Sequence, residues 1–400
     1  MEKLQHKPER VALLLITTNI FLLLNSDIHL PALPFLQKDL GTTEFKAQLV
    51  LIIFMVGAVF SRLVWGPVSD KFGRRKILLV TIGFQAITQL GLSLAPTIDW
   101  LLFWRAVQSF GAGVITVLGT AVITDLFRGD RRARFLGLNE MTFPIAFVIA
   151  PVIGAYLFDI TQTWRTAFVF IFFIQVACWT TFYLFLPETH KPDHGVMLKD
   201  SFKLYFRVIK DRQFMLYNLI SGIMIGSGMM FFTISPFIYM VNLGVSINDY
   251  AFFQFAPMLV SIFAALIYRY IVEHFGSEVL SKISIKLLYI LIPIYLIMGF
   301  NLVDITPYTV LCTICVQSAI VPFFVPGIIS KTTELYPNLR GMASSASASV
   351  RSFCAAGAMF FGSYYIGSDV AALFKTMCGF ILLVLFFFWI VTAKKIKPIK

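Results

Sequence analysis

Two carboxylates fall where carboxylates are costly. The chain has 21 acidic residues, and all but Asp27 and Glu140 lie in polar stretches or at the ends of apolar runs. An ionisable group at membrane depth is expensive unless it is paired or protonated, so each is a candidate for function. Burial raises a carboxyl pKa and a nearby cation lowers it, so such a group can take up and release a proton as its surroundings change. Arginines inside apolar runs supply the complementary charge at Arg105 and Arg351. At 1.5 Å of rise per residue, Asp27 lies about 24 Å above Val11, and Arg105 lies about 10 Å below the outer end of its own run. In a hydrocarbon core of about 30 Å these depths agree. A pair of this kind either couples proton movement or locks two helices together. Glu140, beside Asn139, reads three ways: a proton site, a contact for a cationic substrate, or an interfacial residue reaching water. Arg351 has no acidic partner in its own stretch and suits either an anionic substrate group or backbone carbonyls.

The elements that would hold these groups are long and apolar. The chain has 400 residues, is 58% hydrophobic and 14% charged, and has a mean hydropathy of +0.81. That is the composition of a polytopic membrane protein. Taking about 20 apolar residues per crossing, twelve spans are predicted, at about 11–36, 45–69, 76–95, 98–125, 133–158, 164–186, 213–241, 248–271, 279–301, 307–331, 340–366 and 369–393. The first is read as a retained helix, because no small-x-small cleavage site follows it. The longest polar interruption, 187–212, has the pattern of an amphipathic surface helix or a plain linker helix. The expectation is an all-α membrane protein of two six-helix bundles, 1–186 and 213–400, joined by the 187–212 linker.

Charge sets the orientation. The net charge of +12 resides in short loops and at the two ends, which speaks against a nucleic-acid partner. With the amino terminus in the cytoplasm, only Lys38, Lys46, Arg165 and Lys375 fall on the far side, and Arg62, Arg105 and Arg351 fall within spans. The other cations face the cytoplasm, which places both termini there. The five cysteines (Cys178, Cys312, Cys315, Cys354 and Cys378) all lie in apolar runs and imply no disulfide framework. Cys312 and Cys315, though spaced C-x-x-C, read as helix packing. No phosphate-binding loop and no H-E-x-x-H pattern occurs, so neither an ATP-driven pump nor a membrane enzyme is expected, and no cofactor or metal.

Gly66-Pro67-Val68-Ser69-Asp70-Lys71-Phe72-Gly73-Arg74-Arg75-Lys76 separates the second and third spans, with Gly66 and Gly73 permitting a tight reversal. This loop resembles the signature loop of the major facilitator superfamily of secondary transporters. Trp104-Arg105-Ala106-Val107-Gln108-Ser109-Phe110-Gly111 resembles the superfamily's helix-4 motif, with Ser109 where glycine is usual. Gly137, Ala146, Ala150, Pro151, Gly154 and Ala155 are spaced like its helix-5 antiporter motif, with alanine at three glycine positions. Asp27-Ile28-His29-Leu30-Pro31-Ala32-Leu33-Pro34 is similar to the ending of helix 1 in Bcr/CflA-type drug:proton antiporters. A weak internal repeat sets Asp70-Lys71-Phe72-Gly73 against Glu273-His274-Phe275-Gly276, as in transporters built from two related bundles.

The resemblance implies that helices 1 and 4 line one cavity, so an Asp27–Arg105 pair is expected in its outer half. It implies a monomeric, proton-coupled exporter of small amphipathic or apolar compounds in a bacterial inner membrane. Export of an endogenous metabolite such as a siderophore, nutrient uptake, and a non-transporting sensor are the alternatives. It also implies that Asp70 sits near the start of the eleventh helix when the cytoplasmic side is closed, with Arg74 and Arg75 bridging to Asp125 or its neighbours. Asn19 replaces an acidic residue that some multidrug relatives carry. Asn19, Gln108, Tyr239, Gln317 and Arg351 are candidate cavity residues. The small residues of the eleventh span are expected to pack on Gly57, Ala58 and Ser61 of the second.

Overall fold

The computed structural model describes residues 8–190, 198–275, 277–336 and 340–393. Residues 191–197 of the linker, and Gly276 of the repeat, lie outside them. Among the described residues, ten helical segments are long and apolar enough to cross a membrane: Pro8–Asp39, Glu44–Phe72, Arg74–Ser93, Ile98–Leu126, Gly129–Thr161, Arg165–Phe185, Arg212–Asn242, Ile247–His274, Pro307–Thr332 and Val370–Thr392. Helices Ser277–Gly299 and Arg340–Phe361 complete twelve spans. The latter is serine- and alanine-rich, which lowers its hydropathy without shortening it. A short helix over Leu198–Ile209 occupies the stretch between the sixth and seventh spans. Its Tyr205 and Val208 are buried and its Phe206 is exposed.

The chain forms two compact units, Met1–Phe202 and Lys203–Lys400, each with its own apolar cores. The same pairs of helices pack in both. In the first unit the second span lies on the fourth, the third on the sixth, and the first on the fifth. In the second unit the eighth lies on the tenth, the ninth on the twelfth, and the seventh on the eleventh. Lipid tails give no hydrophobic drive between helices, so close approach at small residues holds such pairs. Gly57 faces Ser109 so tightly that a Cβ there would stand 1.7 Å from Ser109 Oγ. The Gly113 amide donates to Ser61 Oγ at 2.9 Å. The small face of the second span, which the sequence assigned to the eleventh, is thus filled by the fourth. The eleventh span in turn packs on the seventh, where Gly222 faces Cys354 and Gly226 faces Ala358 and Ala355.

Several spans are broken, and in the first and fifth the breaks precede prolines. The first helix runs Pro8–Leu23, gives way to single 3-10 turns at Leu24–Ser26 and Leu30–Ala32, and resumes at Leu33–Asp39. Pro31 and Pro34 lack the amides that would bond the carbonyls of Asp27 and Leu30. The single helix expected over 11–36 is therefore corrected to a discontinuous one. The fifth span breaks at Met141, three residues before Pro144, which leaves the Glu140 carbonyl without a helical donor. The seventh and eleventh end in π-helical turns, Phe237–Asn242 and Gly362–Ile366.

The helix contacts give a paired expectation. A Cβ at Gly226 would lie 2.9 Å from Ala358 Cβ, whereas one at Gly228 would meet nothing closer than 3.8 Å. Gly226→Ala should cost about 1–3 kcal/mol by overpacking, lowering the thermal unfolding midpoint, and Gly228→Ala should leave the midpoint unchanged.

Candidate functional site

The break in the first span bares backbone carbonyls at membrane depth, where an unsatisfied one costs several kcal/mol. Arg105 answers them. Its side chain is fully buried and reaches three spans. Nε donates to the Val50 carbonyl at 3.1 Å, Nη1 to the Asn25 carbonyl at 3.5 Å and to Gln108 Oε1 at 2.6 Å, and Nη2 to the Ser26 carbonyl at 3.1 Å. The guanidinium also lies 4.1 Å above the centre of the Phe54 ring, a cation–π contact.

The expected Asp27–Arg105 ion pair is not formed. The half-buried Asp27 carboxylate accepts the hydroxyl of Ser26, and Ser26 offers its carbonyl to Arg105. Aspartate and arginine thus share one residue rather than one another. A continuous first span would bring the carboxylate level with the guanidinium; the break turns the Asn25 and Ser26 carbonyls toward it instead.

His29 completes the cluster. It is 1% exposed, stacked on Phe168 at 5.4 Å between ring centres, with Nε2 3.4 Å from Arg105 Nη2. A guanidinium only donates, so the facing nitrogen is the acceptor and the imidazole is the neutral Nδ1–H tautomer. That Nδ1 has no partner. The cluster continues through Asn25 Oδ1, which accepts from Gln89 Nε2 of the third span at 2.6 Å.

The fifth span supplies the seat. A Cβ at Gly154 would stand 1.8 Å from the Ile28 carbonyl oxygen, so only glycine admits the broken backbone. Ala146 and Ala150 are buried against Leu24 and Ile28, and Pro151 is buried beside them. Gly137, expected in the same motif, is exposed and faces nothing within 4 Å. Glu140, next to buried Asn139, is exposed on the unit's surface at the end of the Gly129–Glu140 segment.

Asn19 is corrected from a cavity residue to an interhelical clamp. It is 1% exposed and donates to Asn139 Oδ1 at 3.2 Å and to Thr142 Oγ1 at 3.0 Å, binding the first span to the fifth. Gln108 orients Arg105 from one turn away. In the signature loop, Gly73 alone makes the reversal, at φ +94°, which favours glycine. Gly66 lies inside the second helix and faces Val117. Arg74 pairs with Asp125 at 2.8 Å and with Asp70 at 3.5 Å. Arg75 donates to the Tyr183 carbonyl at 2.7 Å. Glu188 accepts from the amides of Arg74 and Arg75 at 3.0 and 3.2 Å, capping the third helix at its positive end.

In the second unit the polar side chains within the spans join through hydroxyls and amides. Arg351 is half-buried and donates to the Ser347 hydroxyl, which donates to Asn218 Oδ1 at 2.5 Å. Tyr239 is 1% exposed with its hydroxyl unpartnered. Gln317 is 3% exposed and lines a cavity of about 160 Å³ between the seventh, eighth and tenth spans, with Met224, Gly228, Met229, Phe232 and Met258.

A twelve-span helical protein of two units in which the same pairs of helices pack has the architecture of a polytopic membrane protein built on an internal repeat. The family model described as Major Facilitator Superfamily matches residues 15–360, and the chain belongs to that family. A bicyclomycin resistance protein homolog of Haemophilus influenzae is 26% identical over 65% of this chain and 66% of its own length. A chloramphenicol resistance protein of Pseudomonas aeruginosa is 28% identical over 66% and 62%, and the MFS-type transporter YdgK of Bacillus subtilis is 34% identical over 60% and 62%. The match thus spans a little under two thirds of these relatives' length. Among solved structures, a bacterial homolog of the human lysosomal transporter Spinster superposes with a TM-score of 0.75 at 16% identity, over 97% of both chains. A D-xylose-proton symporter gives 0.70 at 15%, over 94% of this chain and 96% of that one. The fold and the family-level resemblance to Bcr/CflA-like exporters stand as the sequence indicated.

The geometry around Arg105 yields two stability expectations. Arg105→Met leaves the Asn25 and Ser26 carbonyls without a donor, at about 1–3 kcal/mol each, so the unfolding midpoint should fall steeply. Gly154→Ala should also lower it, because the opposing atom is backbone that cannot rotate away. Unchanged midpoints for both in lipid nanodiscs would remove Arg105 and Gly154 as supports of the broken span.

Proposed function

We propose that the chain is a proton-coupled exporter of small amphipathic or apolar compounds, working by alternating access as a monomer in a bacterial inner membrane with both termini cytoplasmic. The observation that carries this reading is the Asp27 carboxylate on the discontinuous part of the first span, one residue from the carbonyl held by Arg105. Protonation of Asp27 removes a charge that draws on the guanidinium through Ser26 and so loosens the hold of Arg105 on the break. Deprotonation restores it. Asp27 is the proton acceptor in this reading, Arg105 and Gln108 keep its surroundings in register, and neutral His29 lets the guanidinium approach. Glu140, on the surface of its unit, is a second acidic group for protons or a cationic substrate. Asp70, Arg74 and Arg75 form the cytoplasmic latch, with Asp70 meeting the start of the eleventh helix in the closed state. The names of the similar resistance proteins support export of antibiotics of low charge.

Purified protein in liposomes, loaded with radiolabelled chloramphenicol and given an imposed pH gradient, tests this. Gradient-driven flux above that of protein-free liposomes is expected, and Asp27→Asn should reduce it to the protein-free level while the variant still folds. Wild-type protein without gradient-dependent flux, or Asp27→Asn with undiminished flux, defeats the proposal.

A further inference from the structure

The donors of Arg105 are fully committed, and His29 takes the last of them. A guanidinium has five N–H groups. Five acceptors meet them: the carbonyls of Val50, Asn25 and Ser26, Gln108 Oε1 and His29 Nε2. Nη2 gives one proton to the Ser26 carbonyl at 3.1 Å and turns the other toward His29 Nε2 at 3.4 Å. Two donors cannot face each other, so Nε2 is bare and the imidazole proton is on Nδ1. There it has no acceptor. A buried donor left unmet is costly, yet the other tautomer would set an N–H against the guanidinium. Packing on Phe168 holds the ring in place for this contact.

The contact has a consequence for Asp27. Its carboxylate accepts one hydrogen bond, from the Ser26 hydroxyl, although a carboxylate offers about four lone-pair sites. It lies within electrostatic reach of Arg105 and follows directly on the residue whose carbonyl Nη2 holds. It therefore has the capacity to take a guanidinium proton but receives none. The side chains that the other spans bring to the cluster are Phe54, Gln89, Gln108, Gly154 and Phe168, none of them titratable. Arg105 is the charge that acts on both Asp27 and His29.

We infer that His29 is a positioning residue for the proton site: by taking the fifth donor of Arg105 it keeps the guanidinium out of a direct pair with Asp27 and leaves the carboxylate able to exchange its proton. The inference rests on the reading of Asp27 as the proton acceptor and names what sets the pH range in which it works. A direct pair with arginine favours the charged carboxylate and draws that range toward acid. An apolar side chain at position 29 frees the Nη2 proton for Asp27, whereas a side chain with an accepting oxygen keeps it occupied.

The test uses full-length protein in lipid nanodiscs, with no gradient and no substrate. Infrared difference spectra over a pH series follow the carboxylic-acid carbonyl band that Asp27→Asn removes. His29→Leu is expected to move the midpoint of this band toward acid by roughly one to three pH units. His29→Gln, whose amide oxygen can accept from Nη2, should keep the wild-type midpoint. A ring that served packing alone would leave the two variants alike. In the wild-type protein at about pH 8, where imidazoles are neutral, nitrogen-15 NMR should show one of the five histidines held wholly as the Nδ1–H tautomer, a measurement that needs no variant to fold. An unmoved midpoint in His29→Leu, an equal shift in both variants, no band that Asp27→Asn removes, or no such histidine overturns the inference. The expected shifts together with absent flux in liposomes would leave the positioning role standing and the export reading fallen. Gradient-driven flux with an unmoved midpoint would do the reverse.

Discussion

The first unit is organised by an obligation of its backbone. A helix broken within the membrane leaves carbonyls that neither water nor lipid can satisfy. Here they belong to Asn25 and Ser26, and one guanidinium from the fourth span bonds both while also reaching the Val50 carbonyl of the second helix. A lysine could not do this, because its donors radiate from a point whereas arginine's form a planar fork. The other features follow from it. Gln108 sits one turn along to hold the guanidinium, Phe54 covers its face, and Gly154 withdraws its side chain so that the Ile28 carbonyl can fit.

The repeated packing of the two units places this device in relief. The first span lies on the fifth as the seventh lies on the eleventh, yet the joints differ in chemistry. The first pair is closed by the Asn19 amide on Asn139 and Thr142, and by a glycine under a bare carbonyl. The second is closed by the glycines Gly222 and Gly226 against Cys354 and Ala358, with the Asn218–Ser347–Arg351 chain beside them. One unit keeps its ionisable groups at a main-chain break. The other sets hydroxyls, amides and Arg351 along helices whose irregular turns lie at their ends.

Much of this was legible in the sequence because hydropathy, charge bias and glycine spacing are one-dimensional signals. The twelve spans, the reversal at Gly73 and an arginine buried at membrane depth in the fourth span are carried by them. The break in the first span is legible in Pro31 and Pro34, four and seven residues beyond Asp27, which no continuous helix accommodates without losing bonds. A depth taken along a continuous helix puts Asp27 directly on Arg105, and the break removes that contact. The signal for His29 is its place two residues from an intramembrane aspartate. Asn139 and Glu188 could not be found in this way, since the Asn19 contact and the cap on the third helix join residues more than a hundred positions apart.

The contrast between Arg105 and Gln317 shows why buried polar groups have to be read through their partners. Both are almost fully buried and both sit on a span beside a serine. Arg105 has its donors met by carbonyls, glutamine and histidine, so it is a part of the framework. Gln317 has its amide nitrogen on a serine whose proton is already committed, and its Oε1 is buried without a donor. Satisfied donors hold a shape, whereas an unmet buried acceptor is a cost that the surrounding packing has to carry. Residue type alone ranks the arginine as a recognition group; its partners show that it supports the break in the first span.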